Sequence, residues 1–131
     1  MADNRWNELY KAAVKVLRPR KVSEIIEAGG VAAAIESESG NIYTGICVDG
    51  ACTLGICAER NAIFNMLTNG EDSVKRVVAV NWDGKVISPC GACRELMTQL
   101  MPDDYSKIEI MLDYEKAEVT TLGMLTPNWW I

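Results

Sequence analysis

The sequence predicts an α/β fold, a three-layer α/β/α sandwich around a mixed sheet of about five strands. Three observations carry that expectation. Helical periodicity and β-branched runs follow one another in the order helix, β-hairpin, helix, strand, helix, strand, tail. Strand–helix–strand units need crossovers, and so partly parallel pairing with helices laid on the sheet faces. Finally, 131 residues, 49% of them hydrophobic, make one domain over residues 1–131, able to bury roughly two-thirds of its unfolded surface.

Each element has a local cause. Asp3 is placed to cap a first helix, on which Trp6, Leu9, Tyr10, Ala13, Val14 and Leu17 share a face. Arg18-Pro19 stops it, because the residue before proline is pushed out of the α region. "RPRK", Arg18 to Lys21, then reads as a solvated helix end and a turn. After Gly29-Gly30, "VAAAIESE" is a strand, "SGN" at Ser39 to Asn41 turns the chain, and "IYTGICV" returns as a hairpin partner. Asp49 to Gly55 is loop-like. Cys57 to Leu67 forms a helix closed by Asn69-Gly70. Val74 to Asn81 is a β-branched run suited to a covered central strand, and "WDG" is a turn. Cys90 to Met101 forms a helix stopped by Pro102, and Lys107 to Leu112 alternates as a strand. A short strand or turn of helix leads into "LTPNWWI".

Charge and composition exclude whole classes of function. The net charge is −5 and the pI about 4.7, so a basic face for phosphate backbones would be built against the balance and nucleic acid is not expected as a partner. Apolar runs are short and no charged-then-apolar leader opens the chain, so neither secretion nor membrane insertion is expected. Five cysteines are an odd number for a disulfide framework. With no leader they imply a reducing compartment, the cytoplasm. Histidine is absent, so any transition-metal site must be built from thiolates and carboxylates.

The cysteines are placed at helix starts. Cys90-Gly-Ala-Cys93 puts two thiols on one face of a first turn, near N–H groups that favour negative charge. Alone, that pair suits zinc and a dithiol redox centre equally well. Cys57-Ala-Glu59 separates the two readings. A redox pair needs no third thiol at another helix start, whereas three thiolates leave one of zinc's four tetrahedral positions free. A carboxylate two residues beyond the first thiol can then manage protons beside that position. Two helix N-termini and Arg60 would offset the excess negative charge of three thiolates.

Cys-x-Glu followed by Pro-Cys-x-x-Cys is the zinc-deaminase signature in its three-cysteine form. "CAER" joined to "PCGACR" resembles the cytidine deaminases that act on free nucleosides, and the likeness runs from "GGVAAAIESESGNIYTG" through the tail. The resemblance implies hydrolytic deamination of a cytosine-type ring in a free nucleoside or analogue, with Cys57, Cys90 and Cys93 as zinc ligands. It makes Glu59 the proton shuttle between water and the ring nitrogen, and gives the backbone at Ala58 and Ser88 contacts with the ring carbonyl and amine. Arg60 would hydrogen-bond a ligand sulfur. It also implies a homotetramer, in which Trp129 and Trp130 either cover a neighbour's pocket or anchor the tail to its own core.

The chain departs from that pattern in three places. Cys47-Val-Asp49 stands where the family carries Asn-x-Glu for the ribose hydroxyls. Asp49 can still accept from a hydroxyl, but Cys47 cannot replace an amide. A glycine, within Ala28-Gly29-Gly30, stands where an aromatic stacks on the base. The Leu-x-Pro-then-Trp ending resembles blasticidin S deaminases, which act on a cytosine attached to something other than plain ribose. Cys52 lies near enough in sequence to be weighed as a fourth thiolate, which would close the metal site.

Overall fold

The computed structural model describes residues 4–131, so the Asp3 cap lies outside the described residues. Helix α1 (Asn4–Val16) leads into strands β1 (Arg20–Lys21), β2 (Glu27–Ser37) and β3 (Ile42–Asp49). Helix α2 (Ala58–Thr68), strands β4 (Val74–Val80) and β5 (Val86–Ile87) and helix α3 (Gly91–Leu100) follow. A 3-10 turn (Tyr105–Lys107), strands β6 (Glu109–Asp113) and β7 (Glu118–Thr121) and helix α4 (Leu122–Leu125) close the chain.

The layers follow from side-chain alternation along the central strands. On β2, Ala32 and Ala34 face α1, and Ala33 and Ile35 face the opposite layer. On β4, Val78 and Val80 face α1, while Val77 and Ala79 face the opposite layer. Trp6, Leu9 and Ala13 of α1 close one core. Ala62, Ile63 and Met66 of α2, Met97 of α3 and Leu122 of α4 close the other. Each large apolar side chain so buried is worth ~1.5–3 kcal/mol. Val14, expected on the buried face of α1, is 37% exposed, because 100° steps carry it to the edge of the stripe.

The sheet is mixed, as expected, but among the described residues it has seven strands rather than about five. β2 pairs antiparallel with β3 on one side and with β1 and then β4 on the other. β4 pairs parallel with β6, and β7 returns antiparallel on β6. The two unforeseen strands, β1 and β5, are two residues each. No period-2 pattern can show in so few positions. Arg20 and Lys21, expected in a turn, pair with Ala28 and Glu27. The end of the chain holds both a strand and a turn of helix, where one or the other was expected.

α2 sits against β3 without intervening side chains. A Cβ on Gly45 would lie 2.3 Å from the Ala62 amide nitrogen, so only glycine permits that approach. Asn61 donates to the Ile46 carbonyl at 3.1 Å and fixes the register of the pair. This packing sets where the start of α2 is delivered.

Candidate active site

Cys57 is the residue before α2 and Cys90 the residue before α3, both in extended backbone at the N-cap. Cys93 lies on the first turn of α3 and is buried. The two helix starts converge. Sγ of Cys57 is 3.4 Å from Sγ of Cys90, which is itself 3.4 Å from Sγ of Cys93. All three sulfurs lie within 4.8 Å of one another. That is far beyond disulfide length. Tetrahedral zinc with Zn–S near 2.3 Å puts its sulfurs about 3.8 Å apart, so the donor set fits zinc in type and spacing.

The local charges point the same way. Burial opposes the Cys90 thiolate, but the N–H groups of Cys93 and Ala92 and the neighbouring thiols outweigh it and lower the pKa. Cys93 is pushed up, first by burial and then by the negative charge of Glu59. A cation among the sulfurs meets that accumulated negative charge. Arg60 Nη2 lies 3.5 Å from the Cys57 sulfur. Its guanidinium is held protonated first by that contact, and burial, which opposes it, is outweighed by that bond and one to Cys93. Cys52 is exposed, in left-handed backbone, and among the described residues it lies outside the three-thiol group.

Glu59 follows on the first turn of α2 and is 4% exposed. Burial raises its pKa, against the smaller opposing effects of its own backbone N–H and of Arg60. A carboxyl poised to hold a proton beside a metal-type cluster is the physical profile of a general acid–base.

One cleft of about 480 Å³ gathers the expected residues: Cys47, Asp49, Cys57, Ala58, Glu59, Arg60, Ser88 and Cys90 all line it. Its size suits a small organic ligand. The Cys47 sulfur accepts from the Val31 N–H at 3.2 Å. Gly29 has φ +81°, and a Cβ there would meet the Arg18 carbonyl at 2.1 Å, so this backbone cannot carry an aromatic at that position. Asn81 and Trp82 also line the cleft, on the turn after β4. In the sequence, "WDG" signals only a turn. The available signal was a large aromatic just past the carboxyl end of a central strand, where open α/β sheets bind ligands.

Within the chain, the tail lies against α3. Trp129 and Trp130 donate their indole N–H groups to Glu95 of α3, at 3.2 and 3.1 Å, and Trp129 meets Tyr105 edge-on. Arg94, also on α3, donates to the Leu125 carbonyl at 3.5 Å. No helix among the described residues is long and apolar enough to cross a membrane.

Comparison with known proteins agrees with this geometry. A cytidine deaminase of Sporosarcina psychrophila is 37% identical over 101 residues, covering 75% of this chain and 72% of that protein. A blasticidin-S deaminase of Bacillus cereus is 33% identical over 106 residues, 74% of each chain. The crystal structure of a Mycobacterium leprae cytidine deaminase superposes with a TM-score of 0.77 at 28% identity, covering 96% of this chain and 100% of that one. Residues 5–106 match the model of the cytidine and deoxycytidylate deaminase zinc-binding region. With three thiols and a buried glutamate at the mouths of two converging helices, the chain belongs to the cytidine and deoxycytidylate deaminase family of zinc-dependent hydrolases.

Proposed function

We propose that this chain is a zinc-dependent aminohydrolase acting on the cytosine ring of a free nucleoside or nucleoside analogue. The observation that carries the reading is one cleft shared by the buried Glu59 and two thiols of the cluster, Cys57 and Cys90, with Cys93 buried behind them. Cys57, Cys90 and Cys93 hold the zinc, which when bound supplies Lewis acidity that brings a water near neutral pKa. Glu59 takes a proton from the attacking water and delivers it to the ring nitrogen. It then carries the second proton to the amine, which leaves as ammonia and yields the uracil ring. Backbone groups at Ala58 and Ser88 hold the ring carbonyl and the amine. Arg60 draws charge from the thiolates, and Asp49 accepts from a hydroxyl of the substrate.

The lining supports a nucleoside over a nucleotide. Asp49 and Glu59 are acidic, and the cation lining the cleft, Arg60, is engaged with the thiols. A phosphate would enter against net negative charge. The same lining supports a substrate other than plain cytidine, since Cys47 gives the sugar no amide. An analogue of the blasticidin S kind meets those terms. The 131 residues form a single catalytic domain, at work in a reducing compartment such as the cytoplasm, as five free cysteines suggest. Exposed Leu54, Phe64, Met124, Trp130 and Ile131 favour a homo-oligomer, and the family resemblance a tetramer, which light scattering at micromolar concentration tests.

Ammonia release from cytidine, deoxycytidine, cytosine, blasticidin S and deoxycytidylate tests the activity. Cytidine is expected to react detectably but poorly, a modified cytosine nucleoside better, and the nucleotide not at all. Cytidine handled near the diffusional ceiling of roughly 10⁸–10⁹ M⁻¹s⁻¹, and better than each analogue, overturns the substrate assignment. Absence of ammonia from all five by the zinc-loaded protein overturns the activity.

A further inference from the structure

The cleft has one aromatic side chain among the described residues that line it, Trp82, and its other apolar walls are aliphatic: Val31, Val48, Ile56 and Ile87. Trp82 is 67% exposed. A singly exposed apolar residue is ordinary and carries nothing by itself. Three further facts give this one a role.

First, the turn that carries it is braced. Asn81 and Lys85 close it with an N–H to carbonyl bond of 2.8 Å, Gly84 donates back to Asn81 at 2.9 Å, and Lys85 donates to the Asp83 carboxylate at 3.1 Å. Gly84 supplies the left-handed backbone at φ +80°. The Tyr10 hydroxyl donates to the Gly84 carbonyl at 2.7 Å, tying the turn to α1 across the sheet. A side chain on so fixed a turn is presented with little ordering left to do on binding.

Second, the wall at Gly30-Val31 has no ring, and Gly29 beside it cannot accept one. Third, the turn continues through Ile87 and Ser88 to Cys90, so Trp82 stands on the same segment that carries a thiol of the metal cluster. A planar heterocycle entering this cleft has one π-face available to it, and base–aromatic stacking tolerates any substituent on the sugar.

We infer that Trp82 is the surface on which the pyrimidine ring of the substrate stacks, and so a specificity-determining residue of this cleft. The inference rests on the deaminase reading above. Trp82 touches the ring face and takes no part in proton transfer, so it acts on binding.

Zinc-loaded wild type, Trp82→Ala and Trp82→Phe are compared in two assays. The first is cytidine kinetics; the second is quenching of tryptophan fluorescence by uridine, which cannot be deaminated. Trp82→Ala is expected to raise KM about tenfold or more, with kcat within a few-fold of wild type. Trp82→Phe is expected to restore KM, and both variants to lose most of the saturable quench. Size-exclusion chromatography runs alongside. Wild-type KM and uridine affinity in Trp82→Ala overturn the assignment, as does a change of oligomeric state in that variant, which would make Trp82 a subunit contact. Loss of kcat with KM unchanged overturns it too. Wild-type protein that neither releases ammonia from cytidine nor binds uridine overturns the deaminase reading itself, and Trp82 with it.

Discussion

At 4% exposure and beside three thiols, the Glu59 carboxyl keeps its proton to higher pH than a solvated glutamate, because burial penalises the charge. Glu59→Gln keeps shape and hydrogen bonding but cannot exchange a proton. Turnover is expected to fall by ~10²–10⁴-fold or more, with one zinc per chain and an unchanged thermal midpoint. Metal analysis and calorimetry on the same preparation check that the loss is chemical. Glu59 and the three thiols were legible because each sits at a fixed offset from a helix start, and helix starts are marked by the sequence around them. Trp82 and Asn81 were not, since nothing in "NWDG" says which way a turn faces. The hydrogen bond of Cys47 to Val31 was not legible either, since it depends on two strands meeting.

Elements bring those residues together, and the tightest joint is between α2 and β3. Gly45→Ala would drive a Cβ into the Ala62 amide at 2.3 Å, where there is backbone rather than a side chain to give way. Overpacking of this kind costs ~1–3 kcal/mol. It should also move Cys57 away from Cys90 and Cys93. The expected result is a lower thermal midpoint together with weaker zinc retention against a chelator. A variant that loses stability but holds zinc as wild type does would uncouple the joint from the metal site. The long strands and the first three helices were legible from periodicity, β-branched runs and the glycine and proline residues that bound them. β1 and β5 were invisible because their pairing is dictated by neighbours: Arg20 and Val86 join the sheet only once β2 and β4 are in place.

Across the whole molecule, α1 is tied to the sheet through one buried carboxylate. Glu36 of β2 accepts from Arg5 of α1 at 2.6 Å and from Arg76 of β4 at 2.7 Å, and Arg76 also lies over the Trp6 ring. Burial alone would raise the Glu36 pKa, but the bonds from Arg5 and Arg76 outweigh it and lower the value below the ordinary 4.5. A carboxyl depressed in the folded state stabilises the fold fully above its unfolded pKa. That contribution is lost as pH falls from there through the folded value. Glu36→Ala should therefore cost about 2–3 kcal/mol at neutral pH, discounted for the partial exposure of both arginines. The difference from wild type should shrink steadily below pH 4.5, in urea melts taken across that range. A gap that stays constant with pH would mean the loss comes from packing.

The all-thiolate donor set has one further consequence, for chemical durability. Without histidine, every sulfur that grips the metal is also a target for peroxide, and Cys57 and Cys90 stand close enough to condense with one another after a single oxidation. The bound ion is then a protecting group as much as a reagent. Zinc-loaded protein should keep its titratable thiols under mild peroxide, apart from exposed Cys52, while chelator-treated protein loses them and no longer takes zinc back until reduced. Purification with a chelator and no reductant would discard the very ion that shields the site.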